Sequence, residues 1–94
     1  MMSVLISSEG AAWTFFSLDD DKLFLVETVH PKGGINDKSA GHLIRECRFL
    51  FGDKRIIYYD ADDEWIELLH DDTGHFTGIE PYGGQPPTSP EEEF

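Results

Sequence analysis

The sequence contains a single cysteine, Cys47, and no second thiol to pair with it. An intramolecular disulfide and an all-cysteine metal site are thereby excluded, and a reducing, cytoplasmic location is the simplest expectation. No run of about 18 apolar residues occurs, so no helical membrane span is expected. Residues Met1–Gly10 lack a basic segment ahead of a long apolar run and are not read as a secretion signal. Basic residues are missing from a large part of the chain: all seven Lys and Arg lie between Lys22 and Arg55. Residues 56–94 carry eleven acids and no Lys or Arg, whereas residues 1–55 hold eight acids against seven bases. The net charge of −12 is therefore concentrated in one part of the molecule. Such a field repels phosphate, which argues against direct nucleic-acid binding. It points instead to an acidic face or tail.

What is present is enough for one small domain. The chain has 94 residues, 39% of them hydrophobic and 13% aromatic, and needs no covalent staple to build a core. The longest patterned stretch is Ser39–Tyr59. Leu43, Ile44, Cys47, Leu50 and Phe51 fall at i, i+1, i+4, i+7 and i+8. At helical pitch they span an arc of about 120°. The spacing predicts a helix over Ser39–Phe51, with Asp37 or Ser39 as its N-cap and Gly52 as its C-cap. The alternative is a hairpin of Arg45–Phe51 with Arg55–Tyr59 around Gly52-Asp53. Arg55–Tyr59, rich in β-branched and aromatic residues, reads as a strand in either case.

Ser3–Ser7, Ala12–Leu18 and Lys22–Val29 read as three strands of a meander, with Leu23, Leu25 and Glu27 on one side of the third and Phe24 and Val26 on the other. His30–Asn36 breaks the sheet with Pro31 and Gly33-Gly34. After the helix and the Arg55–Tyr59 strand, Glu64–His70 and Phe76–Tyr82 read as two more strands. They are joined by a turn in which Gly74 supplies a positive φ. Gly78 and Pro81 mark the last strand as short and peripheral. The expected fold is α+β: one domain over residues 1–82, β-β-β-α-β-β-β, mainly antiparallel, with one helix on a face. A small all-β barrel is the alternative if the hairpin replaces the helix. Residues 83–94, GGQPPTSPEEEF, have no apolar periodicity and read as a disordered, acidic, Pro-rich tail.

Several patterns invite a chemical reading. His70, His75 and Asp71 flank one turn and are of the residue types that hold a divalent metal or perform acid–base work, although hairpin ends are polar in any case. Asp60-x-Asp62-x-Glu64 matches the first positions of a calcium loop but has Trp65 where that loop requires Gly. Pro31-Lys32-Gly33-Gly34 precedes a helix without the spacing of a phosphate loop. Pro87-Thr88-Ser89-Pro90 has the spacing of a proline-helix ligand, but its neighbours are acids. Cys47 lies on the apolar stripe and reads as a structural thiol. Phe49 lies off the stripe, and Trp65 sits among acids. An aromatic framed by carboxylates is the composition of a contact surface for a basic partner.

The expectation is a non-enzymatic acidic binding protein of the inhibitor or immunity type, with no cofactor and no metal. Its partner would be a protein with a basic surface, such as one that processes nucleic acid. The binding residues would be Asp60, Asp62, Asp63, Glu64, Trp65, Glu67, Asp71 and Asp72, with carboxylates standing in for phosphates. The alternatives are a small metal-dependent or acid–base enzyme using His70, His75 and Asp71, and a self-associating accessory subunit.

Overall fold

The helix forms where the stripe predicts it, two residues longer at its start. In the computed structural model, which describes residues 4–6 and 10–86, α1 runs Asp37–Phe51. Its N-cap is Asn36, not Asp37 or Ser39. Asn36 Oδ1 accepts the backbone N–H groups of Lys38 and Ser39 at 2.9 and 3.0 Å, and Ser39 Oγ accepts the Asn36 N–H at 3.1 Å. This reciprocal box satisfies donors that the helix itself cannot, and the helix starts at Asp37 although Gly41 lies in its second turn. At the other end the Gly52 N–H reaches the Arg48 carbonyl at 3.1 Å with φ +85°, a conformation that favours glycine. The buried arc is Ser39, Ala40, Leu43, Ile44 and Cys47. Phe51 continues it and stacks on Phe15 at 5.5 Å, while Leu50, expected in the stripe, is 46% exposed.

The strands are β1 (Val4–Ile6), β2 (Ala12–Asp19), β3 (Lys22–Val29), β4 (Arg55–Tyr59), β5 (Trp65–His70) and β6 (Phe76–Pro81). They form one six-stranded sheet in chain order. Neighbours are antiparallel except β3 and β4, which run parallel because α1 carries the chain back across the sheet between them. The architecture is thus α+β in the order β-β-β-α-β-β-β. The barrel alternative is excluded, because Leu43–Leu50 is helical and the described strands leave β1 and β6 as open edges. Of the predicted first strand, Ser3 and Ser7 lie outside the described residues, as do residues 87–94 of the predicted tail. No helix among the described residues is long and apolar enough to cross a membrane.

The alternation read in β3 decides which side each residue packs on. Leu23 and Leu25 join Trp13, Ile56, Tyr58, Ile66 and Leu68 under Ala40, Leu43, Ile44 and Cys47 of α1. Each large aliphatic or aromatic side chain buried there contributes about 1.5–3 kcal/mol of transfer free energy. The opposite, helix-free face is covered by aromatic rings. Trp65 contacts Phe16, Phe24 and Tyr59 at ring distances of 5.8, 5.4 and 5.3 Å. Tyr82 closes the cluster edge-on against Phe24 at 5.8 Å. This second cluster removes Phe24 from solvent completely, although no helix covers it.

Candidate functional site

The eight residues expected to form one acidic contact surface separate into three groups. The first is the β4–β5 loop. Asp60 Oδ1 accepts the N–H groups of Asp62 and Glu64 at 2.9 and 3.0 Å, and the Asp60 N–H donates to the Glu64 carbonyl at 2.9 Å. Asp63 turns the chain with φ +62°, a region that short polar side chains tolerate. Asp60 thus uses its carboxylate to fix the loop, while Asp62, Asp63 and Glu64 are exposed. None of these three forms an ion pair among the described residues.

The second group is the β5–β6 loop, at the far end of β5, about 20 Å away along six residues of strand. Asp71 Oδ1 accepts the Thr73 N–H, the Thr73 hydroxyl and the His75 N–H at 3.0, 2.8 and 2.9 Å. These backbone and hydroxyl donors hold the Asp71 carboxyl down to about 2. Gly74 is required here. Its φ is +89°, and a Cβ would lie 3.0 Å from the Arg48 side chain. Arg48 crosses from α1 to the Asp72 carbonyl at 3.4 Å and pairs with Asp53 at 3.1 Å. One partner surface therefore does not meet Asp62–Glu64 and Asp71–Asp72 as a continuous patch.

The third group is Trp65 and Glu67, both on the helix-free face. Trp65 is half-buried as the hub of the aromatic cluster and is not a free anchor ring. Glu67 is 8% exposed and receives two N–H bonds from Arg55 at 2.9 and 2.8 Å. A carboxylate so engaged has little charge left to steer a partner. Among the described residues the most exposed aromatic is Phe49, at 87% exposure beside Arg45 and the His42–Glu46 pair on the outer side of α1.

The histidines fall apart as well. His75 Nδ1 lies 2.7 Å from the Thr73 hydroxyl. The ring nitrogens of His70 face the Asp71 and Lys54 carbonyls at 3.1 and 3.4 Å. His70 lines a cleft of about 250 Å³ with Asp21, Asp53, Lys54, Arg55 and Glu67, a lining that includes neither His75 nor Asp71. No group of three metal-ligating side chains occurs among the described residues. Cys47 is 1% exposed, and burial pushes its thiol up to about 12, so it is no nucleophile at neutral pH.

One polar constellation was not anticipated. Glu27 shares the core-facing side of β3 with Leu23 and Leu25, and its side chain is 1% exposed. Its Oε1 lies 2.8 Å from His30 Nδ1, and this bond is the main reason the imidazole is raised above 6.5. The charges of Asp60 and Asp62 add to the shift, so His30 stands at the same end of the sheet as the β4–β5 loop. The signal was present in the alternation: a carboxylate in register with two core leucines, three residues before a histidine. No family model, curated protein or solved structure matches this chain.

Proposed function

We propose that this is a non-enzymatic, cytoplasmic binding protein of the inhibitor or immunity type that docks an acidic loop on a basic surface of a partner protein. The observation that carries the reading is the loop Asp60–Glu64. One carboxylate locks its backbone, and the next three acids are left exposed without an ion-paired cation among the described residues. A pre-ordered loop gives up little entropy on binding, and its field raises the encounter rate with a positive surface. The contact set narrows to Asp62, Asp63 and Glu64, with Asp60 as the residue that positions them. Asp72, at the other end of β5, would serve only a partner that spans the sheet.

The test is affinity capture with the immobilised full chain, followed by binding kinetics on the basic protein retained. Changing Asp62, Asp63 and Glu64 to Lys should slow association, and the wild-type rate should fall with salt as the Debye length drops below about 10 Å. Equal association rates for the wild type and a folded triple variant would sink the proposal. A second reading, self-association through an open strand edge, is favoured by β6, where Ile79 is 51% exposed at the sheet margin. Sedimentation separates the two: a concentration-dependent dimer lost on Thr77→Pro would support the edge.

A further inference from the structure

Glu27 and Trp13 are a cross-strand pair on the helix side of the sheet. Trp13 is fully buried, its ring meeting Tyr58 edge-on at 6.2 Å and 75°. Its indole N–H is cut off from solvent and has no hydrogen-bond partner among the described residues. The same is true of Glu27 Oε2, the carboxylate oxygen not used by His30. One side of the pair thus offers a buried donor and the other a buried acceptor, on positions whose Cβ atoms lie about 4.5–5.5 Å apart in a ladder. They do not bond to each other. Buried polar groups left unpaired are costly, and folded proteins rarely tolerate two together.

The chemistry of the two atoms selects what satisfies both. A cation pairs with the carboxylate oxygen but is repelled by the N–H dipole. An anion accepts from the indole but is repelled by Glu27. A molecule that accepts one hydrogen bond and donates another fits both, and the smallest is water. We propose that Trp13 Nε1 and Glu27 Oε2 hold one internal water molecule. The water accepts from the indole and donates to the carboxylate. Buried waters of this kind occur about once per 27 residues and bridge groups that have no other partner. The bridge continues the Glu27–His30 bond, so a hydrogen-bonded chain runs from Trp13 in the core to the His30 imidazole, which is 53% exposed. The Trp13–Glu27 bridge stands whether or not the β4–β5 loop docks a partner.

The experiment is water–protein cross-relaxation NMR on the ¹⁵N-labelled full chain, read at the Trp13 indole proton and assigned against Trp65 with a folded Trp13→Phe variant. The expected result is a cross-peak of the sign given by a long-lived bound water, retained in Glu27→Gln and lost in Glu27→Leu. Should Glu27→Leu not fold, the native protein and Glu27→Gln suffice, because a water can donate to the amide oxygen or accept from the amide NH2. No bound-water cross-peak at the native Trp13 indole would overturn the proposal. So would a high-resolution crystal structure with the indole donating directly to Glu27, or with no oxygen within about 3.2 Å of both atoms.

Discussion

Arg55 and Glu67 meet as a fork: Nε and Nη2 of the guanidinium donate to the two carboxylate oxygens at 2.9 and 2.8 Å. The pair ties the first residue of β4 to the middle of β5 on the helix-free face. The same guanidinium lies 5.9 Å from the centre of the Tyr82 ring. Charge-assisted, bidentate bonds of this kind are stronger than neutral ones, and the Glu67 side chain is only 10% exposed.

Glu67→Ala should therefore destabilise the fold. Arg55 is 45% exposed and partly rehydrates when the pair is cut, so the loss expected is about 1–2 kcal/mol rather than the value for a fully buried pair. Asp62→Ala and Phe49→Ala, on exposed positions, should stay within about 0.5 kcal/mol. Urea unfolding of the three variants checks the contrast; equal midpoints would remove the fork from the account of stability.

The β4–β5 loop makes two opposite demands on its aspartates. Asp60→Ala removes the acceptor for two loop N–H groups and should cost about 1 kcal/mol. Asp63→Gly should be neutral or stabilising, because glycine adopts the +62° φ without strain, while Asp63→Val should cost about 1–2 kcal/mol. Thermal melts of the three proteins give the order, and Val above Gly would contradict the loop geometry.

Acid should weaken the β5–β6 turn late. The Asp71 carboxyl is depressed from 3.8 to about 2, so its contribution is present above its unfolded value and is lost as pH falls from about 3.8 through about 2. His30 works in the other sense. Its folded value lies above 6.5, so its contribution is present below 6.5 and disappears as pH rises through the elevated value. Carbon-detected titration of Asp71 and proton titration of His30 read both directions, and Glu27→Gln should return His30 toward its ordinary value.

Cys47 should react with thiol reagents slowly in the native protein and quickly in denaturant, because burial both shields the sulfur and keeps it protonated up to about 12. Rapid native labelling would mean that α1 does not stay on the sheet.

The amino-acid sequence by itself determined the elements and their order. The Leu43–Ile44–Cys47 spacing, the Gly52 stop, the Gly74 turn and the strand alternation are each written within a few neighbouring residues, and local backbone physics is enough to read them. Even Asn36 as cap, which was missed, is a local signal. The side of β3 that carries Leu23, Leu25 and Glu27 was legible too, but not what Glu27 would meet there. That depended on register. Trp13 faces Glu27 because β2 pairs with β3 around a bulge, and Arg55 reaches Glu67 because β4 and β5 align Ile57 with that residue. Trp65 looks like an exposed anchor in a run of acids. Only the tertiary structure supplies Phe16, Phe24 and Tyr59 to cover it. An acid or an aromatic carries no record of its neighbour across the sheet, so whether it steers, pairs or packs is decided when the strands align.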